Sequence, residues 1–223
     1  MKLLTTSKEI KRLMNYSWHD FISKISAESQ HFKQRLKVLA GVEKFFREKD
    51  HFCSLDYYKR RAIAGCLREK DGINWPLFGS MRGAGVFTHK IKENDIRISE
   101  ALDKIPLFGE IKYEHYIAFI QKFQEIDFGG RYIFSPATRL LAMKRPDNFV
   151  CFNNKNKTKL CKDIGTSSSN MTYKRYWEEI IQKIRDSDWW NTPQPTDEEE
   201  LSIWKGRVAF LDALYYEGRL IKN

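Results

Sequence analysis

Residues 129–162 read GGRYIFSPATRLLAMKRPDNFVCFNNKNKTKLCK, and this stretch contains the clearest signals for the fold. Ser135 is a favourable N-cap residue, and Pro136 suits the first helical position, where its missing N–H costs nothing. A helix is therefore predicted over about 137–144. Pro146 ends it, because the residue before a proline disfavours the helical backbone.

A second helix is predicted from Lys155 to Ile164, because Gly165 has the position of a glycine that ends a helix in the left-handed conformation. The residues between the two helices, 147–152, are predicted to be extended or to form a short turn. Over most of the remaining chain the apolar residues recur at spacings of three and four, which is typical of amphipathic helices. Ser7 and Ser17 are predicted to cap two of these helices, and a helix through Tyr57 and Leu67 is predicted to end near residues 71–72. The predicted fold class is all-α.

The composition narrows the class of protein. The 223 residues are 42% hydrophobic and 14% aromatic, which is typical of a globular protein and excludes a disordered chain. Residues 1–7 do not resemble a secretory signal, and no apolar run reaches the ~20 residues of a membrane-spanning helix. The four cysteines form no CxxC pair, and the histidines complete no zinc-binding pattern. We therefore expect a cytoplasmic protein with reduced thiols, without a metal or cofactor, and without membrane contact.

Residues 72–90, GINWPLFGSMRGAGVFTHK, interrupt the helical pattern with a proline and three closely spaced glycines. We interpret them as a loop at the border between an N-terminal helical part, 1–75, and a C-terminal helical part, 76–223. One continuous domain is the alternative. The segment GSMRGAG (79–85) lacks the residue order of a P-loop. It is interpreted either as a plain connector or as a glycine-rich loop that approaches a phosphate beside its arginine.

The net charge of +10 is concentrated between Arg131 and Lys162, where eight basic residues occur with one acidic residue, Asp147. Such an excess favours partners that carry phosphate groups. Asparagines alternate with lysines near the end of this region, and both side chains are typical contacts to phosphate and sugar. The region is interpreted as a nucleic-acid contact surface, and a solvated basic helix face is the alternative.

The same region resembles the helix-hairpin-helix DNA glycosylase superfamily, including its divergent members with the 8-oxoguanine glycosylase fold. The resemblance lies in the order of four features: a glycine hairpin, a helix with Ala-x-x-Leu-Leu, the turn Arg-Pro-Asp-x-Phe, and a lysine-rich helix that a glycine ends. It covers roughly residues 129–165. The resemblance implies a helix-hairpin-helix-like C-terminal half packed on an N-terminal helical bundle.

In that family the hairpin N–H groups hold a phosphate, a lysine opens the following helix, and an aspartate stands at the head of the next one. Here Gly129 and Gly130 correspond to the hairpin, Ser135 to the lysine, and Asn153 or Asn154 to the aspartate. Serine cannot form the Schiff base that lysine forms, and asparagine cannot be the anionic partner. The resemblance therefore implies binding of nucleic acid without the family's usual catalysis, with DNA as the expected ligand and RNA as the alternative.

The charge pattern and the resemblance together predict one set of nucleic-acid-binding residues: Gly129, Gly130, Arg131, Ser135, Arg139, Lys144, Arg145, Asn153, Asn154, Lys155, Lys157 and Lys159. The type of protein that the region resembles further suggests a subunit of a DNA-processing or anti-phage defence complex. Binding is favoured over catalysis, but two alternatives stay open.

The first alternative is an active base-excision or nuclease enzyme that uses a non-standard acid. Asp127 and Asp147 are the nearest candidates, although both are also explained as caps or turn residues. A metal-dependent nuclease would instead use the Glu-x-Lys at 110–112 with Asp95 and Asp103, in surroundings that lack paired strands. The second alternative is an interaction subunit whose basic surface meets an acidic protein partner.

Overall fold

The computed structural model describes residues 12–28 and 31–216. Within these ranges the chain is all-α, as predicted, and extended backbone pairs only in an isolated bridge between Lys70 and Ile73. No helix in these ranges is long and apolar enough to cross a membrane. In chain order the helices are α1 (Trp18–Glu28), α2 (Phe32–Glu48), α3 (Tyr57–Ile63), α4 (Gly85–Glu93), α5 (Ile96–Leu102), α6 (Tyr113–Gln124), α7 (Phe134–Lys144), α8 (Lys157–Ile164), α9 (Tyr173–Arg175, continued by a π-helical segment Tyr176–Ile181 and by Gln182–Arg185), α10 (Asp188–Asn191), α11 (Glu198–Lys205) and α12 (Leu211–Leu214).

Capping explains where α1 begins. The Ser17 hydroxyl accepts a hydrogen bond from Asp20 N at 3.2 Å, and the Asp20 carboxylate accepts one from Ser17 N at 3.1 Å. This reciprocal pair satisfies two amides near the helix start, so the predicted capping role of Ser17 is confirmed. A helix predicted to begin at Ser7 lies mostly outside the described residues, and its described part, Leu13–Asn15, is a short 3₁₀ turn.

Two predicted boundaries in the N-terminal half are wrong. α3 ends at Ile63, several residues before the predicted end, because Gly65 takes a left-handed conformation (φ 68°) and turns the chain. α4 begins at Gly85, inside the predicted loop, and fully buries Phe87 and Ile91. The closely spaced glycines conceal this helix in the sequence, because glycine disfavours helix interiors.

α7 also begins earlier than predicted. Phe134 is its first residue, so Ser135 lies inside the first turn and is not the N-cap. The Phe134 ring packs against the rings of Phe152 and Tyr173, with centroids 5.6 and 5.2 Å away. Tertiary packing thus favours an earlier start than capping preference predicts. Pro136 is tolerated because first-turn N–H groups have no intrahelical acceptor.

An extended segment, residues 149–152, is buried against α7 and α9 and leads from α7 to α8, as the sequence predicts. Its backbone bonds to side chains, not to a neighbouring strand. The Tyr176 hydroxyl donates to Val150 O and accepts from Val150 N. The Thr138 hydroxyl accepts from Phe152 N at 3.0 Å. Side chains therefore satisfy buried backbone groups that a sheet would otherwise satisfy.

Arg139 of α7 connects the two predicted parts of the chain. Its side chain is fully buried, and burial lowers its pKa to about 10, so it stays protonated at neutral pH. The guanidinium donates to four backbone carbonyls, those of Ala62, Ile63, Trp75 and Leu77. One hydrophobic cluster includes residues from Leu13 to Tyr215. The predicted division into parts 1–75 and 76–223 stays a prediction, and both the Arg139 hydrogen bonds and the hydrophobic cluster connect the two parts.

Two glycines with the same backbone conformation test how closely the chain packs around Arg139. Gly65 and Gly72 have φ of 68° and 69°, so either change to alanine adds a left-handed penalty of about 1–2 kcal/mol. A Cβ at Gly65 would lie 2.5 Å from Gly79 O and 3.3 Å from Arg139 Nε, whereas a Cβ at Gly72 meets nothing within 4 Å. We expect Gly65→Ala to lower the free energy of unfolding by roughly 1–3 kcal/mol more than Gly72→Ala does. Urea denaturation of both variants measures the difference, and equal losses would contradict this packing.

Candidate nucleic-acid interface

Three segments that are distant in sequence meet at the N-terminal end of α7. The first is the hairpin, residues 127–133, which leads directly into Phe134. The second is the Asn/Lys segment, residues 153–159, which follows Phe152 and its ring contact with Phe134. The third is the glycine-rich loop, residues 79–85, which approaches the Asn/Lys segment closely.

Gly79 makes that approach possible. Its φ is 106°, a conformation that residues with a side chain rarely adopt. A Cβ atom there would lie 2.4 Å from Cys151 Sγ and 3.5 Å from Asn153 Nδ2. The glycine-rich loop therefore lies against the start of the Asn/Lys segment, a contact that the sequence does not indicate.

The hairpin joins α6 to α7 through two exposed glycines, Gly129 and Gly130, with φ of 66° and 70°. The Asp127 carboxylate accepts a hydrogen bond from Gly129 N at 2.7 Å. That amide is used within the turn, which corrects the phosphate-holding role implied for Gly129. Arg131 and Tyr132 follow at the surface, and Tyr132 is 55% exposed.

Three of the predicted contacts lie inside the protein. Arg139 bonds to backbone carbonyls in the core, as described above. Lys144 Nζ lies 4.9 Å from the centroid of the Phe46 ring, and burial lowers the pKa of this lysine. Arg145 donates to the Asp147 carboxylate and to two loop carbonyls. Their prediction as nucleic-acid contacts is corrected, because α7 is buried on every side from residue 136 onward.

Asn153 and Asn154, which correspond to the family's aspartate, have different environments. Asn154 is exposed, whereas the half-buried Asn153 donates from its amide to the Asp212 carboxylate at 3.0 Å. Asn156 is fully buried and donates to the same carboxylate oxygen at 2.7 Å and to Cys151 O at 2.6 Å. Two asparagines of the predicted contact region therefore point inward and hold a carboxylate.

Asp212 is a buried acid next to Asn153, the residue that stands where the resembled family has its aspartate. Its side chain on α12 is 1% exposed, and its second oxygen lies 3.1 Å from a guanidinium nitrogen of Arg35 on α2. A buried carboxylate needs such partners, because an uncompensated charge in the interior is costly. The network joins α2, the residue before α8 and α12. Because solvent hardly reaches the Asp212 carboxylate, we assign it a structural role and not a contact with substrate.

The two acids predicted as catalytic candidates also have structural partners. Asp127 stabilises the hairpin turn. Asp147 accepts two hydrogen bonds from Arg145, at 2.9 and 2.8 Å, and one from the Asn148 amide at 2.7 Å. The hydrogen bonds of Asp127 and Asp147 are those typical of residues that stabilise turns, and they do not position either carboxylate as a general acid.

The carboxylates of the nuclease alternative are not gathered together. Asp95 is held by Arg97, whose hydrogen bonds lower the pKa of that carboxyl, and Asp103 lies 2.8 Å from a ring nitrogen of His51. Across the part of the chain that the structure describes, no group of three or more His, Cys, Asp or Glu residues could hold a metal ion.

The exposed cations gather around the start of α8. Lys155 and Lys159 are exposed, Lys157 is half-buried, and all three lie within the first turn or just before it. The α8 N-terminus has no side-chain cap and no acidic residue in its first turn. Because a helix N-terminus carries partial positive charge, cations there are unfavourable. α11 of the same chain follows the usual preference, with an aspartate cap and three glutamates in its first turn.

Sequence reasoning missed three residues of this region, Arg35, Tyr132 and Asp212, and it interpreted Asn156 as a surface contact although that side chain is buried. Asp212 had a signal, since it is a single acid within the apolar run 208–215. An ionisable residue in such a run is typically buried with a partner. The sequence around Arg35 contains no signal of its burial, because its partner Asp212 lies 177 positions away. Tyr132 reads as an ordinary core aromatic until its exposure is known.

Comparison of the chain with protein-family models, with curated proteins and with solved structures gives no match. The glycosylase resemblance therefore stays a prediction based on the residues that suggested it.

A neutral substitution of the buried acid tests its structural role. Asp212→Asn removes the carboxylate that faces the Arg35 guanidinium, and we expect a loss of about 3–5 kcal/mol in the free energy of unfolding. Asp127→Asn is the control, because an exposed asparagine keeps an acceptor for Gly129 N, and a change within about 0.5 kcal/mol is expected. Chemical denaturation compares them. Unchanged stability of Asp212→Asn would mean that the network does not hold the helices together.

The cysteines provide a second test of burial around this region. Burial raises the pKa of Cys151 to about 12 and that of Cys161 to about 11, and it also raises the pKa of Cys66. Cys53 is half-buried. Since the thiolate is the reactive form, a thiol reagent at pH 8 is expected to modify Cys53 first and the other three only after denaturation. Mass spectrometry assigns the modified sites. Rapid labelling of Cys151 in the native protein would show that the extended segment opens.

Proposed function

We propose that this chain is a nucleic-acid-binding protein, with DNA as its principal ligand. The contact surface consists of six of the exposed or half-exposed members of the predicted set at the hairpin before α7 and at the start of α8: Gly130, Arg131, Asn154, Lys155, Lys157 and Lys159. Tyr132 is added to them. The glycosylase-like scaffold and a place in a DNA-processing or anti-phage defence complex belong to the same proposal and rest on the resemblance. The cytoplasmic location also belongs to it and rests on the composition and the cysteine pattern.

The observation that carries the proposal is the cationic start of α8. Lys155, Lys157 and Lys159 stand where the helix dipole disfavours positive charge, and no side chain caps the helix. Taken alone, the helix dipole disfavours positive charge at this position, and an anion bound at the same place would offset that repulsion. Backbone amides and lysines at a helix N-terminus are a common way to hold phosphate.

The exposed ring of Tyr132 adds a different kind of contact. It stands next to Arg131, and its hydroxyl accepts a hydrogen bond from Tyr173 N at 3.0 Å, which fixes the ring at the edge of the hairpin. An exposed aromatic ring of this kind stacks on an unpaired base, and stacking is worth about 1–3 kcal/mol per base. Unpaired or opened strands are therefore the preferred form of the ligand.

The partners of the candidate acids favour binding over catalysis. Asp147 and Asp212 have both carboxylate oxygens bonded to protein donors, and the Asp127 carboxylate accepts a hydrogen bond within the hairpin turn. The interaction-subunit alternative uses the same cations against an acidic protein partner. Binding of purified protein to nucleic acid distinguishes the two.

Charge reversal at the start of α8 tests the function separately from folding. Changing Lys155, Lys157 and Lys159 together to Glu is expected to weaken binding of a fluorescent single-stranded DNA at least tenfold at low salt. The melting temperature should stay the same or rise, because acids suit a helix N-terminus. Fluorescence anisotropy across a salt series measures the affinity. The logarithm of the affinity should depend less steeply on the logarithm of the salt concentration in the variant than in the wild-type protein.

The matched control changes Lys49, Lys104 and Lys112 to Glu. All three are exposed, and they lie close in sequence to segments that contact the C-terminal end of α7, away from the proposed surface. The net charge changes equally in both triple variants, so a purely non-specific attraction would weaken binding equally. Equal losses, or unchanged binding in the α8 variant, would refute the proposed surface.

A further inference from the structure

A second cationic site lies beside the proposed surface. A cavity of about 640 Å³ opens between the end of α3 and the start of α4, and its polar lining comes from Arg61, Arg68, Ser80, Arg82 and Thr88. Ser80 follows Gly79 directly, and Gly79 packs on Cys151 and Asn153. The cavity therefore borders the start of the Asn/Lys segment.

The charge in this cavity has one sign. Three guanidinium groups line it, and its lining contains no acidic residue. Within the described residues none of these three arginines forms a salt bridge. Arg61 donates to Cys66 O at 2.9 Å, and Arg82 donates weakly to Ser80 Oγ at 3.3 Å. Elsewhere in the chain, the exposed Arg47 and the half-buried Arg175 pair with glutamates. The uncompensated charge in the cavity suits an anionic ligand.

The backbone around the cavity is held in place. Met81 is buried, its N–H donates to Gly65 O at 2.9 Å, and its carbonyl accepts from Ala84 N at 3.0 Å and from the Thr88 hydroxyl. α4 begins directly after this turn without a side-chain cap and without an acid in its first turn. The arginines of the lining thus stand beside a preformed turn and the positive end of a nine-residue helix.

We propose that this cavity binds a phosphate monoester, and that on nucleic acid it receives the terminal phosphate of a strand. Guanidinium groups bind phosphate oxygens bidentately, and a hydroxyl such as that of Ser80 completes such a site. A monoester carries close to two negative charges at neutral pH, which matches three arginines better than the single charge of a backbone diester does. This inference rests on the proposed function for its macromolecular source, and a free mononucleotide is the other source of the same chemistry.

The size and place of the cavity favour a strand end. The cavity is open to solvent, and its volume of about 640 Å³ is enough for one nucleotide unit whose phosphate lies between the arginines. Its border with the Asn/Lys segment lets a strand lie over the α8 lysines while its last phosphate enters between the arginines. The glycine-rich loop then separates the two contacts.

The experiment compares oligonucleotides of one sequence that carry a 5′-phosphate, a 3′-phosphate or only hydroxyl ends. In fluorescence anisotropy the wild-type protein should bind one of the phosphorylated strands at least tenfold more tightly than the hydroxyl strand. Changing Arg68 and Arg82 to Gln should abolish this preference, and the affinity for the hydroxyl strand should fall no further than it does in the control variant. Arg47→Gln with Lys49→Gln is the charge-matched control and should keep the preference. Melting temperatures confirm that each variant is folded.

The outcomes separate this inference from the proposed function. If the hydroxyl strand binds but phosphorylation gives no preference and calorimetry detects no mononucleotide binding, the cavity inference is refuted and the proposed function stands. If a mononucleotide binds through Arg68 and Arg82 but no strand does, the phosphate site is upheld with a small ligand and the proposed function fails. A preference that survives Arg68→Gln with Arg82→Gln would place the phosphate elsewhere and overturn the assignment.

Discussion

The buried guanidinium of Arg139 is the interaction on which the rest of the structure depends. It carries a positive charge into the core and donates to carbonyls at the C-terminal end of α3 and in the loop that follows. The end of α3 suits it, because a helix C-terminus carries partial negative charge. Gly65 and Gly79 keep the backbone close enough, since a side chain at either position would collide with neighbouring atoms. The same geometry brings the glycine-rich loop against the Asn/Lys segment, so the arrangement of the candidate site follows from this internal contact.

The Asn/Lys segment has two roles that alternate along the chain. Asn153 and Asn156 turn inward and bind the Asp212 carboxylate, which Arg35 faces from α2. Lys155 and Lys159 turn outward at the start of α8, where they gain nothing from the helix dipole. The inner residues fix the backbone, and the outer residues concentrate charge on a fixed frame. A site with locally unfavourable charge on a rigid support is typical of a surface adapted to a ligand.

About half of the relevant features could be predicted from the sequence. The all-α class, the caps at Ser17 and Gly165 and the extended segment before α8 follow from local preference and periodicity. The start of α7 and the existence of α4 could not be predicted, because packing of Phe134 and of the buried face of α4 outweighs local glycine and capping preferences. Of the predicted contacts, those on the hairpin and the α8 lysines stay at the surface, whereas Arg139, Lys144 and Arg145 do not.

Helical character, the positions of most helices and the concentration of positive charge in one region can all be recognised in the amino-acid sequence. Spacing and capping act over a few residues, so their recognition needs no knowledge of distant contacts. Which cations face solvent depends on the fold, because burial requires partners far along the chain, such as Ala62 for Arg139 and Asp212 for Arg35. For the same reason only the fold placed Arg61, Arg68 and Arg82 around one cavity next to the Asn/Lys segment.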